Sequence, residues 1–354
     1  MGIVHSGFQL ATHHTLTVTF HNKTLKQMKF KLCPLFLIVL IAFSCNSQDS
    51  RPNNLNETIE QGYGNKSQKI LLNTQQKINE FASLSERNSN ILSHIVITSG
   101  TSDPVINLDS LIHLNRINGV LRILKNPKLQ NLDGLRNLEY VGSDIWIHDC
   151  PNLGNLNGLN KLSNISTNLT IDKTGITDLR GLENIKSIEG SFGVSENPNL
   201  VNITSLSQLH NVRLLSISKN PSLSSLNGLE NLKTVSQGIR VESNSSLANL
   251  QGLEIANESI ESVTIYKNEK LKELGTFKNL TDITKRLIIA KNAQLIEING
   301  LNALQNITGD LQIYENPKLN SIEELSNVSS VGKMVNLDGN ETLVNTEIVK
   351  KLRK

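Results

Sequence analysis

The sequence predicts a fold dominated by β-structure: a right-handed β-helix or leucine-rich-repeat-like solenoid of eleven 23–26-residue coils, with short helical caps at both ends. Three observations predict it. First, Asn recurs at 126, 197, 220, 244, 268, 292, 316 and 340, and Gly100, Cys150 and Thr174 fill the missing phases. The steps between phases are 26, 24, 24, 23 and 23 residues and then 24 five times, which is the signature of a repeat architecture. Second, apolar residues stand three and five places before each phase, as in Leu121 and Ile123, Ile145 and Ile147, Phe192 and Val194, and Leu311 and Ile313. That alternation is a short strand with one face inward. Third, apolar residues return at every third place after the phase, in the series Leu129, Leu132, Leu135, Leu138 and Val141. A period of three fits neither a 3.6-residue helix nor a long strand, so the chain there turns corners around a core.

The elements follow in chain order. Residues 1–27 read as an upstream extension from a misassigned start. Met28-Lys-Phe-Lys31 and the apolar run Leu32 to Phe43 then supply the charged and hydrophobic regions of a secretory signal, residues 28–44. The twelve-residue run is shorter than the roughly 20 residues that a membrane-spanning helix needs. It ends Ala42-Phe43-Ser44-Cys45, which resembles the lipobox of bacterial lipoproteins and marks Cys45 as the lipidated residue of the mature chain. Residues 45–66 are polar, with Pro and Gly, and read as a flexible tether. Removal of Cys33 and lipidation of Cys45 leave Cys150 alone, so the mature chain has no intrachain disulfide framework. Secretion across the inner membrane and lipid anchoring at the outer membrane or cell surface are the expected localisation.

Residues 67–354 make up the solenoid. Its first cap reads as a strand, Lys69-Ile-Leu-Leu72, followed by a helix over 74–84 with Asn73 or Thr74 as N-cap. Its last cap is a short helical turn bearing Ile348, Val349 and Leu352, with Asn345 as cap and Lys350, Lys351, Arg353 and Lys354 at the negative C-terminal end. Stacked strands about 4.8 Å apart make such an array a rod on the order of 50 Å long.

The pattern Ile117-x-Gly119-x-Leu121-x-Ile123, Asn126-Pro-x-Leu129 and Leu132-x-Gly134-Leu135-x-x-Leu138 resembles the receptor L domain, the β-helical module through which insulin and EGF receptors contact hormones. It recurs at Ile307-x-Gly309-x-Leu311-x-Ile313. An ordinary leucine-rich repeat places its first Leu eight residues before the Asn, whereas the apolar residue here stands nine before. The resemblance implies a binding module built on a β-helix. The array is longer than one such domain and lacks the receptors' disulfides, so hormone binding is not implied.

Charge narrows the function classes. Net charge is +3. Residues 1–44 contribute four lysines and no acid, so the remainder carries 31 basic against 32 acidic residues. A near-neutral body offers no electrostatic footprint for nucleic acid.

The stretch Asp144-Ile-Trp-Ile-His-Asp-Cys150 holds the single tryptophan beside a histidine, an aspartate and a cysteine, and it raises the question of chemistry. Cys150 occupies the Asn phase, where a small, burial-tolerant side chain can replace an inward amide. No second His or Cys stands near enough in the repeat to complete a zinc site, so no metal or other cofactor is expected. The outward position two before the phase runs Thr98, Leu124, His148, Asp172, Ser195, Ser218, Glu242, Tyr266, Ala290, Tyr314, Asp338. Asp172 falls between His148 and Ser195, which is the wrong order for a catalytic triad. Asp172 and Glu242 stand three coils apart, roughly 14 Å, beyond the spacing of a glycosidase pair, and Asp149 and Asp172 are close enough but Asp149 reads as a member of a cross-strand charge ladder. A β-helix polysaccharide-degrading enzyme is therefore the weaker rival. The sign alternation Lys125, Asp149, Lys173, Glu196, Lys219 one place before the phase reads as a cross-strand charge ladder.

Two non-enzymatic readings remain: a cell-surface module binding a protein or glycan along the outward strand face, or a structural envelope spacer. Positions four and two before the phase bring Arg122 and Leu124 beside Trp146 and His148, a patch suited to recognition. Tyr266, Ile288 and Tyr314 form a second candidate patch five to seven coils away, roughly 25 to 35 Å along the sheet.

Overall fold

The computed structural model describes residues 69–85, 89–275, 277–344 and 347–352. The signal segment, Cys33, Cys45, the tether and the caps expected of Asn345, Arg353 and Lys354 lie outside the described residues. Those described form an all-β solenoid of about eleven turns with two helices.

One parallel sheet runs the length of the stack. Its strands include His94–Thr98, Leu121–Leu124, Ile145–Cys150, Leu169–Thr174, Ser187–Ser195, Asn211–Ser218, Thr234–Glu242, Ser259–Tyr266, Asp282–Ala290 and Asp310–Tyr314. Register follows the repeat: Ile123 pairs with Ile147, Ile147 with Ile171, and Val194 with both Ile171 and Ile217. Equal phases sit side by side because a one-residue slip would turn every inward Leu and Ile toward water.

The period of three after the phase resolves into single 3-10 turns at Asp109–Leu111, Asp133–Leu135, Asn157–Leu159, Thr204–Leu206 and Glu323–Leu325. With three residues per turn, a 3-10 segment returns i and i+3 to one face, so Leu132, Leu135 and Leu138 all enter the core. The structure also contains an element absent from the one-strand reading of each coil. The apolar residue eight or nine places before the phase lies in a second short strand. Ile91, Ile117 and Val141 pair in one such ladder. From Ser187–Ser195 onward in most coils the short strand fuses with the main one through a register shift, as between Ile188 and Ser191.

A continuous core of Leu, Ile, Val and Phe fills the stack from Ile70 to Leu352. Burying one such side chain contributes about 1.5–3 kcal/mol, but a lone coil leaves both its faces wet, so stability arises between neighbours. Packing between coils is tight enough to dictate glycine in the x-Gly-Leu turn: a Cβ on Gly158 would lie 1.7 Å from the Leu132 carbonyl oxygen.

Both ends are closed. Strand Lys69–Leu72 pairs with His94–Thr98, and helix α1, Gln75–Ser85, follows it. Thr74 is the N-cap: its Oγ1 accepts the Lys77 N–H at 3.1 Å, whereas Asn73 Oδ1 is buried without a partner. Helix α2, Glu347–Leu352, buries Ile348, Val349 and Leu352 at the other end.

Candidate ligand-binding strand face

The inward Asn row fixes the strands whose outer face carries the candidate residues. Asn220, Asn244, Asn268, Asn292 and Asn316 are fully buried. Each Nδ2 donates to a carbonyl of the preceding coil, as Asn244 does to Ile217 at 2.9 Å. Each Oδ1 accepts the backbone N–H of the Asn before it, so the ladder runs without a break from Thr174 to Asn340. One place before this row the backbone turns left-handed in nine successive coils, from Lys125 (φ 55°) to Glu315 (φ 52°). Seven of those nine strands end directly before the turn, whereas Ile145–Cys150 and Leu169–Thr174 run one residue beyond it.

Cys150 sits in the ladder. Its thiol lies 3.8 Å from the Ile123 carbonyl oxygen and 3.5 Å from that of His148, matching the two carbonyls that Asn126 meets at Ile97 and Leu124. Burial pushes the Cys150 thiol up to about 11, with hydrogen bonds from Asn126 only partly opposing it. A thiol protonated at neutral pH and sealed in the core is a poor nucleophile. The crowding of the stretch from Asp144 to Cys150 is thus partly architectural, with its cysteine facing in.

The outward residues have a different character. Strand register places Leu124 beside His148, His148 beside Asp172, and Asp172 beside Ser195; on the parallel row Arg122 neighbours Trp146 and Trp146 neighbours Thr170. All four residues of the first expected patch therefore share one surface. Its organiser is Asp172, which the sequence suggests only as a catalytic group, in a triad with His148 and Ser195 or in a carboxylate pair. The Trp146 indole Nε1–H donates to Asp172 Oδ1 at 2.8 Å, and His148 Nδ1 meets Asp172 Oδ2 at 2.6 Å. The two rings lie 5.2 Å apart at 41°. The carboxylate thus holds both rings from the next coil, half-buried, with His148 21% and Asp172 14% exposed.

This arrangement cannot act as a triad, because Ser195 lies on the far side of Asp172 from His148, two strand steps or about 10 Å away. Both Asp172 oxygens are engaged by the rings. Among the described residues, no group of three His, Cys, Asp or Glu is placed to hold a metal ion.

The second expected patch is only partly formed. Tyr266, Ala290 and Tyr314 are neighbours on one row, and Thr264, Ile288 and Gln312 on the other. The Tyr266 ring has Lys267 Nζ and Lys291 Nζ each 5.8 Å from its centre. Ile288 points outward by register yet is only 5% exposed. Strands about 4.8 Å apart bring longer side chains up on both flanks, and Ile288 belongs to packing beneath them. The tyrosines remain as candidate contacts.

The charge ladder closes around one residue. Glu196 meets Lys219 at 3.0 Å and Lys173 at 3.8 Å, and the hydrogen bond from Lys219 holds its carboxyl below the usual range. Asp149 joins no ion pair among the described residues, so the alternation expected around it is not realised as contacts. Farther along the face, Arg240 Nε donates to Glu242 Oε2 at 2.6 Å, pairing the two outward residues of one strand.

No protein-family model matches the chain, and no curated protein matches it in sequence.

Proposed function

We propose that the solenoid is a non-enzymatic recognition module that binds a protein or glycan ligand along its outward strand face. In this reading the chain is a receptor-L-domain-like surface lipoprotein, secreted by residues 28–44, held to the membrane through Cys45 and set clear of it by the tether of residues 45–66. The observation that carries the reading is the clamp of Trp146 and His148 by Asp172. Fixing two aromatic rings before binding removes an ordering cost that a mobile surface side chain would meet, and Trp is a common anchor at interfaces.

The spacer reading draws on the unbroken Asn ladder, which stiffens the stack whatever its face does. It leaves the clamp unexplained, since a spacer has no use for an oriented tryptophan. A glycan and surface-protein array probed with the purified mature chain tests the two. Saturable binding lost on Trp146→Ala supports recognition, and absence of binding to either class supports the spacer.

A further inference from the structure

We propose that the C-terminal edge of the sheet is a second interaction surface, where an extended acidic segment of a partner protein adds one more strand to the stack. The inference goes beyond the strand-face reading and does not rest on it. Each coil passes backbone hydrogen bonds to the next: the Ile307 carbonyl accepts the Gly332 N–H at 2.8 Å, and the Leu311 N–H donates to the Met334 carbonyl at 2.9 Å. The last coil repeats that geometry, with Val331 beside Ile307 and Val335 beside Leu311. Its strands Ser330–Val331 and Val335–Asn336 are each paired on one side only, and no strand follows them among the described residues. The Val331 carbonyl and the Val335 N–H therefore point out of the stack, in the arrangement that an incoming strand completes.

The side chains agree with the backbone. Helix α2 closes the core beside this edge but leaves Val331, Val335 and Leu343 half-buried, whereas the equivalent Ile307, Leu311 and Leu319 of the coil before are fully buried. Met334, between the two edge strands, is 51% exposed. A groove runs between the helix and the edge, with Val331, Val335 and Leu352 on its walls and Lys333 and Lys351 beside them, and no Asp or Glu lines it. The lysines select the occupant. A second copy meeting this edge with its own would set Lys333 and Lys351 against their equals, and like charges across a strand pair are destabilising. The other end of a second copy presents helix α1, whose Ile78 and Phe81 are already buried. An acidic strand with apolar residues at the registers of Val331 and Val335 answers both the charge and the uncovered valines.

The probe is a dye-labelled peptide of this chain's own residues 305–315, which carries Asp310 and Glu315 and no basic residue and has Ile307 and Leu311 at the registers of Val331 and Val335. The chain from Met28, carrying Cys45→Ser, is titrated against it by fluorescence anisotropy. Binding should be saturable, and the same peptide with Asp310→Lys and Glu315→Lys should bind about tenfold more weakly or worse. Lys333→Glu in the protein should reverse that preference. Val335→Pro removes the outward N–H at an edge position and should abolish binding with the melting temperature unchanged. Absence of saturable binding overturns the inference, as does equal binding of the two peptides or undiminished binding by Val335→Pro. A parent dimer in sedimentation velocity that Val335→Pro dissociates would assign the edge to a second copy and overturn it likewise.

Discussion

Trp146 and Asp172 are joined across adjacent coils by a 2.8 Å hydrogen bond from indole to carboxylate, and the same carboxylate takes His148. An outward tryptophan on a solenoid has no packing reason to be held this way. The pair converts a flat strand face into one with a fixed aromatic wall, and Asp172 acts on it as a positioning residue.

Asp172→Ala should release both rings. The emission of Trp146 should shift to the red and its anisotropy fall, because the indole N–H loses the carboxylate that accepts it and gains water. The unfolding free energy should drop by about 1–2 kcal/mol, less than a buried charge-assisted bond would give because the site is partly solvated. Unchanged emission and anisotropy would show that the bond does not hold the ring.

Cys150→Asn should leave the melting temperature equal or higher. Asn at this phase can accept the Asn126 backbone N–H and donate to the Ile123 carbonyl, extending to Asn126 the ladder that now begins at Thr174. The native thiol, raised to about 11 by burial, should resist alkylation at neutral pH until the protein unfolds. Rapid labelling of the folded chain would restore a reactive role to Cys150.

Asn244→Ala removes a mid-ladder amide. It strips partners from the Asn220 N–H and the Ile217 carbonyl in a fully buried row. The expected loss is about 2–4 kcal/mol, read by urea unfolding, since buried groups left unpaired lose their full hydration. A loss below about 0.5 kcal/mol would mean that water or a backbone shift replaces the ladder.

Much of this fold was legible in the sequence because solenoid geometry repeats every constraint. The Asn phase, the inward pairs such as Leu121 and Ile123, and the turn leucines each recur in coil after coil, so register errors are averaged out. The outward rows follow from the same phase, which is why the sequence alone brings Arg122, Leu124, Trp146 and His148 together. What stayed hidden depends on side-chain reach. The second short strand at Ile117 and Val141 occupies too few residues to show an alternation. Ile288 alternates outward but lies under its flanking neighbours. Asp172 reads from the sequence as a member of catalytic groupings with Ser195 or Glu242, because nothing in its own coil indicates that the tryptophan and histidine of the coil before it turn toward it.

Cys45→Ser tests the anchoring reading. Expressed from Met28, the variant should leave the membrane fraction for the soluble one on ultracentrifugation, whereas the parent stays. A single acyl chain binds membranes only marginally, so the parent's retention should reflect more than one lipid chain. A variant that sediments like the parent would contradict lipidation at this residue.

The central claim is that the outward strand face is the binding surface. Its most direct test is the equilibrium affinity of the parent, Trp146→Ala and Tyr314→Ala for the strongest partner found on the glycan and surface-protein array. Each substitution should weaken binding by more than about 1 kcal/mol. Tyr314→Ala should leave the melting temperature nearly unchanged, and Trp146→Ala should lower it only slightly, because Asp172 keeps His148. Two variants that bind like the parent would place the contact on the coil edges and contradict the account.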